Sequence, residues 1–202
     1  MNSKLIRNVW AVGRNYADHA AEMKVEVPKS PMIFLKAGTS VETGSKIKLP
    51  TWSKDVHHEL EIAYWIDDKL EFTYLTLALD LTARDAQAEA KAKGQPWTMA
   101  KSFTGSCPLG SWISLQDAGP LDELTFELKK NQQVVQIGSA KEMIFKPEIL
   151  LQFIKKHFPV SGSDILLTGT PAGVGPLQSG DLLQATLQSG NRKLLACHWD
   201  VE

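Results

Sequence analysis

Apolar positions along the chain recur with two spacings, and the change from one to the other marks strands and helices. Leu5 to Val12 predicts a short strand closed by Gly13. Asn15 to Lys24 has helical character, with Tyr16, Ala20 and Met23 on one side, and Pro28 and Pro31 break it. Met32 to Leu35 predicts another short strand, followed by a polar, Gly-punctuated loop from Lys36 to Lys46. Val56 to Ile66 alternates, so Leu60, Ile62, Tyr64 and Ile66 share one face while His57, Glu59 and Glu61 share the other. The next apolar run, Tyr74 to Leu79, ends on Asp80. Thr82 to Lys93 is rich in helix formers, with Thr82 and Asp85 as a capping-box pair and Gly94-Gln95-Pro96 as a stop.

Later apolar stretches predict strands at Trp112 to Leu115, Leu124 to Lys129, Gln133 to Ile137, Ile165 to Thr168, Leu182 to Leu187 and Lys193 to Trp199. One further helix is expected at Pro147 to His157, with Pro in its first turn and Ile149, Leu150, Phe153 and Ile154 as its apolar face. Many strands and few helices, without regular alternation, predict an α+β fold. At 202 residues a single domain spanning 1–202 is expected.

Composition narrows the function classes. The formal net charge of -1 offers no electrostatic reason to expect nucleic acid or an anionic membrane as partner. No apolar stretch reaches the length of a membrane span, and the first twenty residues lack the apolar core of a secretory signal. Cys107 and Cys197 have no metal-site spacing, so a reduced, cytoplasmic setting is the default expectation.

The candidate chemistry lies in the acidic residues. Glu59 and Glu61 side by side repel each other unless a proton or cation lies between them, and Asp80 is a third carboxylate close by in the pattern. Converging carboxylates suit Mg²⁺ or Mn²⁺; a solvent-facing edge strand with alternating Glu, and a plain helix cap at Asp80, are the bland alternatives. His58 lies on the opposite face from His57, which argues against an iron site needing two histidines. His19 and Glu22, three apart on the expected helix, form an acid–base pair or an ordinary solvated one. Lys101 could stabilise developing negative charge or be simply solvated. The glycine-rich stretch Thr168 to Pro176 is either a tight turn or a loop offering the Thr170 hydroxyl and backbone N–H groups to an anionic substrate.

Together and in this order, these segments resemble the fumarylacetoacetate hydrolase family, in its short single-domain acylpyruvate hydrolase-like branch. The matching stretches are Gly13 to Met23, Phe34 to Lys36, Val56 to Glu61, Asp80 to Gln87, Trp97 to Phe103, and Thr168 to Pro171 with Gly180-Asp181 beyond. The resemblance implies a rolled mixed β-structure with a few short helices, in a homodimer. It implies Glu59, Glu61 and Asp80 as ligands of Mg²⁺ or Mn²⁺, and His19 and Glu22 as a water-activating dyad. It also implies Lys101 near the reacting oxygen, with Arg84, Gln87 and Thr170 contacting substrate. The chain departs from the pattern at Ala37, where Pro commonly follows the lysine, which weighs against a substrate role for Lys36. The implied activity is metal-dependent C–C bond hydrolysis of an acylpyruvate, such as acetylpyruvate or fumarylpyruvate. Oxaloacetate decarboxylation, or tautomerisation or isomerisation of a 2-oxo acid, is the alternative at the same metal–enolate site.

Overall fold

The strand Leu60–Ile66 is buried at every position, because its sheet is covered on both faces. The structure, a computed structural model, describes residues 6–18 and 28–202. Its strands in the first half are β1 (Asn8–Gly13), β2 (Met32–Ala37), β3 (Val41–Glu42), β4 (Lys46–Ile47), β5 (Val56–His58), β6 (Leu60–Ile66), β7 (Phe72–Leu79) and β8 (Thr82–Ala83). Those in the second half are β9 (Cys107–Pro108), β10 (Ile113–Ser114), β11 (Leu124–Lys130), β12 (Gln133–Ser139), β13 (Ile165–Leu167), β14 (Gly175–Pro176), β15 (Leu182–Ser189) and β16 (Arg192–Val201). The described helices are α1 (Arg84–Lys93), α2 (Thr98–Lys101), α3 (Leu115–Ala118) and α4 (Pro147–His157).

A six-stranded mixed sheet has the order β10-β7-β6-β13-β1-β2, and a five-stranded sheet the order β12-β11-β15-β16-β4. Leu60, Ile62 and Tyr64 of β6 and Leu75, Leu77 and Leu79 of β7 meet Phe126, Leu128, Leu183 and Leu187 of the second sheet in the largest apolar cluster. The other face of β6 carries Ala63 and Trp65 into a second cluster with Val9, Ala11 and Ile165. Burial from both sides explains why β6 reads as a nearly continuous apolar run. The α+β expectation holds.

Local expectations meet three corrections. The stretch Val56 to Ile66 is not one strand: it breaks at Glu59, with β5 joining a small sheet with β14 and β8 while β6 joins the large one. Thr82 does not cap a helix. Pairing of β8 with β5 draws Thr82 and Ala83 into a ladder, so α1 starts at Arg84 without a side-chain cap. The Thr82 hydroxyl turns inward to Glu59 Oε1 (3.0 Å) instead, and the Asp85 carboxylate accepts from Ser53 Oγ and the Lys54 and Ala86 amides. The stop at Gly94 is as expected, with φ of 64°. Helix α4 matches its predicted bounds, but Ile149 is exposed, and Leu151 joins Leu150 and Ile154 against Trp10, Val12 and Ile66.

One buried side chain ties the sheets together. Gln136 of β12 donates from Nε2 to Thr170 Oγ1 (2.8 Å) and the Pro171 carbonyl (3.1 Å). Its Oε1 accepts from the Leu60 amide (3.0 Å) and lies 3.0 Å from His58 Nδ1. These partners orient the amide and put the His58 proton on Nδ1. Burial pushes the His58 pKa down to about 4, against the opposing pull of its Gln136 bond. Above about pH 6.5 His58 is neutral folded or unfolded, so its contribution to stability is complete there. As pH falls toward 4 the unfolded chain takes up a proton that the folded one refuses, and stability is lost. That loss should approach about 3 kcal/mol. In denaturant unfolding between these limits, His58→Gln should show a correspondingly shallower acid slope; an unchanged slope would rule His58 out as its source.

Candidate functional site

Strand register, more than sequence spacing, brings the acidic residues together. Glu61 lies opposite Ala78 in the β6–β7 ladder, and the Asp80 amide donates to the Glu59 carbonyl (2.9 Å). Glu59, Glu61 and Asp80 therefore fall on one face at one end of that strand pair. All three are buried, and one carboxylate oxygen from each lies within 4.8 Å of the others. The exposed edge-strand reading of Glu59 and Glu61 is thereby excluded.

Cations compensate two of the three. Lys101 places Nζ 2.9 Å from Glu59 Oε2 and 2.5 Å from Asp80 Oδ2. Arg84 Nη2 lies 2.7 Å from Glu59 Oε1. Lys36, fully buried, reaches Asp80 Oδ1 at 2.7 Å and also donates to the Lys101 carbonyl. Burial alone would lower the Lys101 pKa, but Asp80 and Glu59 outweigh it and the net shift is upward.

Glu61 is compensated less. The Gly169 amide donates to its Oε2 (2.6 Å), in a backbone with φ of 92° that favours glycine. A side chain there would also strike Asn15, its Cβ lying 2.7 Å from the Asn15 Cβ. Burial, then the charges of Asp80 and Glu59, raise the Glu61 pKa well above the ordinary carboxylate range. An all-oxygen donor set with one carboxyl short of positive charge fits a hard divalent cation such as Mg²⁺ or Mn²⁺.

The remaining expected residues divide. Arg84, Gln87, Lys101 and Thr170 line the same pocket as the carboxylates, with Phe34, Met32 and Trp97 as its apolar wall. Gln87 Oε1 accepts from Arg84 Nη1 (2.8 Å), so the two side chains act as a unit. Thr170 does not offer its proton to a ligand: the hydroxyl donates to the Leu60 carbonyl (2.9 Å). Nor does Gly169 offer its amide, which is committed to Glu61. The loop is thus chiefly a support for the carboxylates. His57 pairs with Asp55 (2.9 Å) and is not one of the pocket-lining residues. His19 and Glu22 lie outside the described residues.

Two residues of the site were not expected from sequence. Lys36 is a partner of Asp80, and its neighbour Leu35 is exposed, so the alternation of that strand gives no hint of an inward lysine. Gln136 likewise points inward while Ile137 is exposed. For Lys36 the pointer was the resemblance through Phe34 to Lys36; for Gln136 it was a polar residue within an apolar run.

A family model described as fumarylacetoacetate (FAA) hydrolase C-terminal matches residues 8–196. The mitochondrial oxaloacetate tautomerase FAHD1 of Bos taurus is 39% identical over 190 residues, covering 89% of this chain and 86% of that protein. A mitochondrial oxaloacetate decarboxylase of Dictyostelium discoideum is 37% identical, covering 88% and 87%. A fumarylacetoacetate isomerase/hydrolase-type protein from Oleispira antarctica has a crystal structure with a TM-score of 0.92 at 39% identity, covering 98% of this chain and 94% of that one. Fumarylpyruvate hydrolase from Pseudomonas aeruginosa, solved with Mn²⁺ and pyruvate, shares the fold with a TM-score of 0.89 at 24% identity, covering 97% and 89%.

Because the Glu61 carboxyl must lose its proton to bind a cation, Mn²⁺ is expected to bind more tightly at about pH 8 than at about pH 6. Glu61→Gln should weaken Mn²⁺ binding by at least about tenfold and flatten that pH dependence. Calorimetric titration reads both; tight binding by Glu61→Gln would remove Glu61 from the donor set.

Proposed function

Since the chain belongs to the fumarylacetoacetate hydrolase family, we propose that it is a divalent-metal-dependent enzyme interconverting the keto and enol forms of oxaloacetate. The observation that carries the reading is the buried triad Glu59, Glu61 and Asp80 beside the Lys101 ammonium, in a chain 39% identical to a named oxaloacetate tautomerase. Mg²⁺ or Mn²⁺ held by these carboxylates would act as a Lewis acid on the 2-oxo group, acidifying the adjacent C3–H and favouring charge on that oxygen.

The protein's own residues supply the rest of the reaction. Tautomerisation moves one proton from C3 to the 2-oxo oxygen, or back, without breaking a carbon–carbon bond. Lys101, kept charged by Asp80 and Glu59, donates a hydrogen bond to the oxygen on which charge develops. Arg84 and Gln87, joined side chain to side chain, bind the adjacent carboxylate and fix the plane of the substrate. Lys36 keeps Asp80 paired from behind the pocket. Phe34, Met32 and Trp97 exclude water, which strengthens each of these interactions. His19, with Glu22 setting its tautomer, is the proposed carrier of the C3 proton.

Acylpyruvate hydrolysis would need, in addition, a water activated against the 4-carbonyl. Its support among the proteins compared is a likeness of fold at 24% identity, whereas relatives near 38% are named for oxaloacetate chemistry. Decarboxylation of oxaloacetate is the second reading, favoured by the Dictyostelium relative; in it the C3–C4 bond would break with loss of CO₂ in place of C3 deprotonation, leaving a pyruvate enolate that takes up a proton at C3.

The test compares three rates in the presence of Mg²⁺: decay of the enol absorbance of oxaloacetate, pyruvate release from oxaloacetate, and cleavage of acetylpyruvate. The first is expected to dominate; faster pyruvate release or acetylpyruvate cleavage would displace the tautomerase reading. His19→Ala should lower the dominant rate by about 10²–10⁴-fold while leaving Mn²⁺ affinity intact.

A further inference from the structure

The pocket is lined by more cations than its carboxylates use. Arg14, Arg84, Lys91 and Lys101 face Glu59, Glu61 and Asp80. Arg84 and Lys101 are paired with those acids. Among the described residues Arg14 and Lys91 make no close ion pair; Lys91 feels Glu59 only as the weakest of the charges around it, and lies over the Trp97 ring, 5.3 Å from its centre. Like charges crowd there. Burial, then Arg84, Arg14 and Lys101, hold the Lys91 ammonium below its ordinary pKa, the condition that a bound anion relieves.

Their placement is directional. Arg84, Gln87 and Lys91 share one face of α1, three and then four residues apart. Gln87 is about 4.5 Å and Lys91 about 10.5 Å along the axis from Arg84. Lys91 lines the pocket beyond Arg84 and Gln87, with its ammonium over the Trp97 ring. Arg14 reaches the pocket from a different element, just after β1, in a left-handed backbone with φ of 62°. For a non-glycine residue that conformation costs about 1–3 kcal/mol and persists only where neighbours enforce it. Asn15 is that neighbour: its side chain donates to the Phe145 and Thr168 carbonyls and accepts from the Phe145 amide. Its carbonyl also accepts from the Ile144 amide. The chain thus spends strain to present an arginine, in place of glycine, at the pocket rim.

We propose that Arg14 and Lys91 form a subsite for a second, distal carboxylate, which selects C4 dicarboxylates over 2-oxo acids with a neutral tail. The proposal rests on the 2-oxo acid reading above and extends it from the reacting end of the substrate to its far end. With the 1-carboxylate at Arg84 and Gln87, the 4-carboxylate of oxaloacetate lies three bonds farther along the charged face. A methyl ester or an acetyl tail at that position would leave both cations unpaired in a partly desolvated pocket, which is the penalty that discriminates.

Two measurements on the full chain test it. Malate and lactate share a 2-hydroxy acid head and differ in the distal carboxylate. Titrated calorimetrically in the presence of Mn²⁺, the wild-type chain should bind malate about tenfold or more tightly than lactate. In Arg14→Gln/Lys91→Gln that preference should vanish, with lactate affinity unchanged. Lys91→Gln alone, at an exposed helical position, should lose part of it without disturbing the fold. In the tautomerase assay the double variant should raise KM for oxaloacetate about tenfold and leave KM for its 4-methyl ester in place. Absence of a malate preference in the wild-type chain, or a preference surviving both substitutions, overturns the subsite. A wild-type chain that prefers malate but does not tautomerise oxaloacetate would overturn the proposed reaction and leave the subsite standing.

Discussion

Mutual repulsion among three buried carboxylates is the constraint that the surrounding structure answers. Glu59, Glu61 and Asp80 are within 4.8 Å of one another and almost inaccessible to water. Unscreened, such an arrangement would either take up protons or force the strands apart. Lys36, Arg84 and Lys101 prevent this, each drawn from a different element: β2, the start of α1 and the end of α2. Glu59 and Asp80 each keep two cationic partners, so loss of any one cation weakens the compensation of its carboxylate without leaving it unpaired. Two of these cations, Arg84 and Lys101, also line the pocket, whereas Lys36 does not.

The sheet arrangement makes that balance rigid. Glu61 lies in β6, flanked by β7 and β13 and covered by apolar clusters on both faces. Glu59 sits in the break before it, where Thr82 Oγ1, Arg84 and Lys101 converge. Gln136 then joins the second sheet to the Leu60 amide and the Thr170 loop, which in turn aims the Gly169 amide at Glu61. Charge positions are therefore set by packing across both sheets and need little rearrangement during a reaction.

What could be read from sequence followed from periodicity and residue type. Helix α4 and strands β11, β15 and β16 lie close to their expected ranges, because each alternates or repeats over enough residues to leave one solution. The three carboxylates could be grouped because Glu59 and Glu61 share parity and Asp80 ends the next strand. The break at Glu59 could not be read, since it arises from β5 pairing with β8 and β14, residues distant in the chain. The same long-range pairing cancelled the capping role of Thr82. Lys36 and Gln136 were hidden for a related reason: each points inward where the local pattern offers no cue, and only its partner across the fold explains it.

The site also separates two tasks that one triad cannot perform alone. A cation held by carboxylates activates any 2-oxo acid equally, whether the next step is proton transfer, loss of CO₂ or attack by water. Discrimination has to come from groups that touch what differs between those substrates. In this chain two polar groups near the triad are already committed: Thr170 to Leu60 and Gly169 to Glu61. The uncommitted charge lies farther out, on Arg14 and Lys91. On the proposed reading, reaction type and substrate choice would rest on different residues of the one pocket.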